Sequence, residues 1–313
     1  MASGQPPLQT HPNHLDPSEL GTKDWDRYYQ NDLDNGYDSG DETNALDEDE
    51  EDSNDHAPPN PSELESWFDD VGAPAKTLAY LTDASFPLSP AYLSRHDVTT
   101  SRNPTVLDLG TGNGSALFSL RRDGGYRGRM LGVDYSRPSV DLARRLWRQY
   151  QFSDRETAAT GEGESETISF ETMDLIHDDP NSGSSLLPWW PNEAGGFDLV
   201  LDKGTFDAIS LSSATVHEPP VGAGTGVERR VCELYPAKVA RMVRPGGFLL
   251  VTSCNWTEEE VVKWFTVGEG LDGGGGGGVG LEIYGRIKYP VFQFGGQKGQ
   301  GVASVCFRRV DGL

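Results

Sequence analysis

Nine residues, Val106-Leu107-Asp108-Leu109-Gly110-Thr111-Gly112-Asn113-Gly114, are the segment best suited to hold a small molecule. A short apolar run is followed by glycines at alternate positions. Glycine lets the backbone turn sharply after a strand and lets a ligand approach with no Cβ in the way. A helix predicted over 115–122 would present free N–H groups at the same place. The spacing is G-x-G-x-G, unlike the G-x-G-x-x-G of dinucleotide binders. A phosphate-bearing cofactor would use such a loop as an anion cradle. A nucleoside without phosphate still needs an acceptor for its ribose, and Asp134, closing Gly132-Val133-Asp134, supplies one. Asp174, in Met173-Asp174-Leu175, can accept from an adenine amino group. A glycine loop with acids after the second and third strands is a methyltransferase pattern. S-adenosylmethionine is therefore the expected cofactor, with Asp108, Gly110, Gly112, Gly114, Asp134 and Asp174 around it.

Two further strings carry candidate chemistry. Leu201-Asp202-Lys203-Gly204-Thr205-Phe206-Asp207 ends the fourth strand. In open α/β sheets ligands bind outside the carboxyl ends of the strands, at the switch point between strands one and four. Asp202 is expected there, holding the cofactor's ammonium or the incoming amine. Ser253-Cys254-Asn255-Trp256 ends the fifth strand beside it. Asn255 offers an amide, and Trp256 an aromatic wall that attracts sulfonium and ammonium groups. Asp202, Asn255 and Trp256 are the catalytic candidates. Cys254 reads as a small buried residue rather than a nucleophile. No zinc spacing, Walker loop, G-x-S-x-G elbow or H-E-x-x-H occurs, so no metal is expected.

The elements that must position these residues alternate. Strands are predicted over 105–109, 130–133, 168–170, 197–201 and 248–251. Helices are predicted over 115–122, from Pro138 through Trp147, from Val231 through Met242, and over 258–265. Alternation implies a Rossmann-like α/β fold: a mostly parallel seven-stranded sheet with helices on both faces. The last two strands, Ile283–Val291 and Val302–Phe307, are joined by Gly295-Gly296 and should form an antiparallel hairpin at one edge. Upstream, Ser62 and Glu65 suggest a capping box for a helix carrying Leu64, Trp67, Phe68 and Val71. Pro74 suits the first turn of a second helix through Leu78 and Leu81.

Charge divides the chain unevenly. Of the net −23, residues 1–62 carry −14, from 16 acids against Lys23 and Arg27. Asp38 to Asp55 holds ten carboxylates and no Lys or Arg, and self-repulsion should keep it extended. The expected organisation is a largely disordered segment 1–62 and one domain 63–313. Polar or glycine-rich loop insertions are expected near 153–167, 180–195 and 268–280, the last with nine glycines in thirteen positions. Acidity argues against a nucleic-acid groove. No signal peptide and no membrane span are read. Three unpaired cysteines suit a reducing compartment. A monomer is expected, with the cytoplasm as its simplest location and the nucleus as the alternative.

These residues resemble the eukaryotic protein-lysine methyltransferases that modify translation elongation factor 1-alpha. The resemblance rests on Trp25-Asp26-Arg27-Tyr28-Tyr29, Val106–Gly114, Asp134, the string from Leu201 through Leu211, and Thr252-Ser253-Cys254-Asn255-Trp256-Thr257. It covers roughly residues 22–35 and 64–310. It implies a seven-strand fold, S-adenosylmethionine as methyl donor and a lysine of the elongation factor as acceptor. It also implies that the patch begun by Trp25 lies over the cofactor. One segment departs from the family: Leu64-Glu65-Ser66-Trp67-Phe68-Asp69 stands where members carry Gly-Glu-x-Trp-Phe-Gly, and an acidic insertion precedes it. From the residues alone, a small-molecule or other-protein acceptor and a non-catalytic binding role remain alternatives. The absence of an Asn-Pro-Pro-Tyr string disfavours amide and base acceptors, and the intact glycines and Asp134 disfavour the non-catalytic role.

Overall fold

Short apolar runs become strands because each can be buried on both faces. β1 (Val106–Leu109), β2 (Met130–Asp134) and most of β4 (Phe197–Lys203) are buried along their length. With β3 (Ile168–Thr172), β7 (Val243–Ser253), β8 (Val279–Ile287) and β11 (Ala303–Asp311) they form one seven-stranded sheet of order β3-β2-β1-β4-β7-β11-β8. β3, β2, β1, β4 and β7 pair in parallel. β11 runs antiparallel between β7 and β8. Strand order reverses between β1 and β4, which opens a crevice at their carboxyl ends. The computed structural model describes residues 22–35, 60–61, 64–96, 103–157, 168–178, 189–191, 194–218, 227–267, 279–294 and 297–311. The acidic run, Ser62, the Gly295-Gly296 turn and most of the three expected insertions lie outside them.

Alternation along each strand divides the core in two. Val106, Leu199, Leu201 and Leu250 face one side, packed with α1 (Thr22–Asn35), α2 (Ala73–Thr82), α4 (Ser115–Arg122) and α5 (Arg137–Thr157). Leu107, Leu109, Val200 and Val251 face the other, packed with α6 (Thr205–Leu211), α7 (Val231–Met242) and α8 (Glu258–Thr266). A short helix, α3 (Pro90–Arg95), follows α2. The Thr257 side chain accepts from the Glu260 N–H at 3.3 Å while the Glu260 carboxylate accepts from the Thr257 N–H at 2.9 Å, a capping box that starts α8. Thr257→Ala is expected to cost about 1 kcal/mol in denaturant unfolding.

The seven strands and mixed sheet are as expected; five details differ. Of the helix expected from Ser62, the described residues 64–71 are irregular and end in a single 3-10 turn, Asp69–Val71. Phe68 there has φ +67°, and the Asp69 carboxylate accepts from the Ser66 N–H, so the backbone turns instead of continuing. Trp25 to Tyr29 lies within α1 and is not an isolated patch. The edge hairpin is β8 with β11, while β9 (Val291–Phe294) and β10 (Gln297–Gln300) form a separate two-stranded extension between them. A second small ladder, β5 (Thr215–Glu218) with β6 (Val227–Arg230), joins α6 to α7. Trp190, expected inside an insertion, is buried against Phe197 in the core.

Candidate active site

The carboxyl ends of β1 and β2 meet in one hydrogen-bonded unit. Gly110, Gly112 and Gly114 all have positive φ, at +62°, +56° and +84°. That conformation folds the loop back so that the Gly112 N–H donates to Asp134 Oδ2 at 3.0 Å, and the Ser136 N–H donates to Oδ1 at 3.0 Å. Burial pushes the Asp134 carboxyl above its usual range, and the two donated N–H bonds oppose this. Ser139 Oγ donates to the Gly112 carbonyl at 2.8 Å and closes the unit. A carboxylate has four acceptor lone pairs, and these bonds do not fill those of Asp134.

α1 lies across this loop. A Cβ on Gly112 would stand 2.6 Å from the Tyr29 hydroxyl, so the close approach that glycine permits is used by the chain's own lid. Trp25 stacks on Tyr29 and packs on Trp67, with centroids 6.2 and 5.1 Å apart. The Tyr28 hydroxyl donates to Glu65 at 2.6 Å, and Arg145 donates to the Leu33 carbonyl at 3.1 Å. Asn113 Nδ2 donates to the Glu65 carbonyl at 2.8 Å, which ties the departing segment to the glycine loop.

Other expected residues sit apart. Asp174 is half-exposed after β3, and its carboxylate holds its own turn, accepting from the Ile176 and His177 N–H groups and pairing with the His177 ring at 2.7 Å. Asp202 is buried, and its carboxylate faces α6 and α7. Oδ1 accepts from the Thr205 and Phe206 N–H groups, and Oδ2 accepts from the Tyr235 hydroxyl at 2.8 Å. Burial raises its pKa to about 7 against those three bonds. Asp207 binds the next turn: Ser253 Oγ and the Cys254 N–H both donate to it. Asp202 and Asp207 thus fasten the ends of β4 and β7 to α6. Asn255 is exposed. Trp256 is half-buried, stacked on Phe206 at 6.0 Å, with its indole N–H buried and unpartnered among the described residues. Cys254 is exposed as a residue rather than buried, while its thiol, partly shielded from water and set beside Asp207, is raised to about 12.

Because side chains alternate along a strand, Lys203 points opposite to Asp202. It enters a cleft between α2 and α4, with Asp108, Asp69 and Thr252. Burial raises the Asp108 pKa to about 6, opposed by the Thr111 hydroxyl at 2.8 Å and by Lys203. Sequence reasoning quoted Lys203 and Tyr29 only within longer strings. Period-two alternation after Asp202 was the available signal for Lys203.

Asp202 also makes a pH prediction. Its carboxyl ordinarily titrates at 3.8 and here at about 7, so the folded chain keeps a proton that the unfolded chain loses. The stability this gives is fully present below about pH 4 and is lost as pH rises through about 7. Asp202→Asn removes the titration. Its stability relative to the parent should improve by up to about 4 kcal/mol between pH 4 and 8, measured by urea unfolding.

Residues 100–296 match a family of methyltransferase domains. The protein-lysine N-methyltransferase EFM4 of Saccharomyces cerevisiae is 33% identical over 294 residues, covering 94% of this chain and 96% of the relative. The chain belongs to the methyltransferase family. The efm4 protein-lysine N-methyltransferase of Schizosaccharomyces pombe is 29% identical over 94% of this methyltransferase and 95% of its own length. EEF1A lysine methyltransferase 2 of Danio rerio is 30% identical over 67% of the chain and 69% of its own length. The strand order, glycine loop and acid-bearing strand ends described above are the frame of this methyltransferase.

Proposed function

We propose that this methyltransferase transfers a methyl group from S-adenosylmethionine to a lysine of translation elongation factor 1-alpha. The observation that carries the reading is near full-length similarity to a protein-lysine methyltransferase, together with the partial similarity to one named for that factor. The residues fit the cofactor. Asp134 has acceptor capacity for a ribose diol, and the Gly112 N–H of the glycine loop holds its carboxylate in place. Trp25 and Tyr29 form a lid, and Asp108 lines the adjoining cleft. Asp174 stands at the adenine side of this reading.

When bound, S-adenosylmethionine supplies a methyl group already activated on a sulfonium. The chain's task is then to align and to exclude water. A lysine amine must be neutral to accept, and its ordinary pKa is about 10.4. Partial desolvation beside an aromatic wall such as Trp256 lowers that value. Asn255, exposed at the same rim, is available to the incoming amine. Asp202 contributes by holding α6 and the end of β4, since three protein donors already occupy its oxygens. The chain acts as a cytoplasmic monomer in this reading.

The test is methyl transfer in vitro with labelled S-adenosylmethionine and a lysate from cells lacking this gene. One labelled band of elongation factor size, with methyl on a lysine, is the expected result. Label on another protein would discard the substrate and keep the enzyme. Label only on small molecules would discard the protein acceptor.

A further inference from the structure

The cleft between α2 and α4 carries more charge than its size requires. It is lined by Asp108 from β1, Lys203 from β4, Asp69 before α2, and the apolar Leu64, Leu201 and Leu250. Lys203 is the one base among its described lining residues. Its ammonium lies within electrostatic reach of Asp108, Asp69 and Asp202, and burial lowers its pKa. Among the described residues it closes no hydrogen bond or ion pair with any of them. Lys203 is half-buried and lines the cleft, so its ammonium is within reach of a ligand that enters there. The Thr77 hydroxyl of α2 is buried, lines the same cleft and has no partner among the described residues.

The register explains why acid and base stand together. β1 and β4 are parallel neighbours with Asp108 opposite Leu201. Lys203 is two residues farther along β4, on the same face, hence a diagonal neighbour of Asp108. The glycine loop begins two residues after Asp108, at the carboxyl end of the same strand.

We propose that Lys203 is a cofactor-binding residue that holds the α-carboxylate of the methyl donor, beside Asp108 and Asp69, which face the donor's ammonium and sulfonium. This inference rests on the reading of S-adenosylmethionine as donor. The methionine end of that molecule carries two positive charges and one negative. Around Lys203 the cleft offers the reverse, the Asp108 and Asp69 carboxylates and one ammonium; of the other two acids that line it, Asp123 caps the far end of α4 and Asp202 is spent on α6 and Tyr235. A ligand of that pattern pairs Lys203 without leaving Asp108 unpaired. The product lacks the sulfonium charge and so loses one of these attractions, which favours its release.

The experiment is calorimetric titration of the full chain with S-adenosylhomocysteine and with its decarboxylated analogue, S-adenosyl-3-thiopropylamine. The analogue keeps the nucleoside and the amine and lacks only the carboxylate. The parent protein should bind S-adenosylhomocysteine about 10- to 100-fold more tightly than the analogue. In Lys203→Met that preference should shrink to about onefold. Lys203→Arg, which retains the charge, should keep most of it. A merely structural role for Lys203 would weaken both ligands equally and leave the ratio intact, which would overturn the proposal. Should Lys203→Met fail to fold, a parent ratio near one overturns it instead. A parent that binds neither ligand removes the methyl-donor reading itself, and a parent that binds both equally removes only the role of Lys203.

Discussion

Asp134→Ala is expected to weaken S-adenosylmethionine binding by about 100-fold or more and to abolish measurable methyl transfer. The magnitude follows from the bonds at stake. The carboxylate accepts the Gly112 and Ser136 N–H groups, each at 3.0 Å, and both donors are buried with it. Truncation leaves two buried N–H groups without partners, at about 1–3 kcal/mol each, so the glycine loop loses the brace that sets its shape. The same change removes the acceptor proposed for the ribose diol. Calorimetry with the cofactor and a thermal melt of the free protein separate the two contributions. The melting temperature should fall, and affinity should fall by more than partial unfolding accounts for. Normal affinity in this variant would move the nucleoside away from β2.

Gly110→Ala should damage the site severely. Its φ of +62° already disfavours a side chain, by about 1–2 kcal/mol. In addition the new Cβ would lie 2.2 Å from Thr205 Oγ1 and 3.2 Å from that residue's Cβ. Thr205 cannot simply swing away. Its hydroxyl donates to the Leu109 carbonyl at 2.6 Å, and its N–H donates to Asp202 at 3.0 Å, so it anchors the start of α6 to both β1 and β4. Overpacking at such a point costs about 1–3 kcal/mol more. A loop displaced by about 1 Å lowers kcat/KM by about 100-fold. Gly195→Ala is the matched control. Its φ is +65°, but its nearest contact would be Pro245 at an ordinary 3.7 Å. That variant should lose about 1 kcal/mol in urea unfolding and keep its turnover. Equal losses in the two variants would dismiss the Thr205 contact as a cause.

How much of this could be read from the chain depends on how local each cause is. The glycine loop and Asp134 were legible because their meaning needs only a strand end, a backbone that tolerates positive φ and one carboxylate. The sheet was legible because apolar runs of about five residues alternate with helical periods. Asp202 was legible as a carboxylate at a strand end but not in its direction. Tyr235, which binds it, lies 33 positions away, and only the packing of α7 reveals it. Alternation does place Lys203 on the opposite face, so the base in the cleft was available to a stricter reading of the same string. Trp25, Tyr29 and Leu33 repeat at i, i+4 and i+8, a helical stripe partly concealed by the surrounding Asp and Asn residues. The helix expected from Ser62 has good local signals. It fails because Phe68 packs beside Gly204 and takes a left-handed turn, a demand of tertiary structure. The β5–β6 ladder has strands of four residues each, too short to stand out by alternation.

The most direct measurement is the crystal structure of the full chain grown with S-adenosylhomocysteine. The expected result places the ribose hydroxyls within hydrogen-bond distance of Asp134, the nucleoside over Gly110–Gly114 and beneath Trp25, and the amino-acid end in the cleft between α2 and α4. A nucleoside bound elsewhere, with Asp134 still touching only Gly112 and Ser136, would contradict this account of the site.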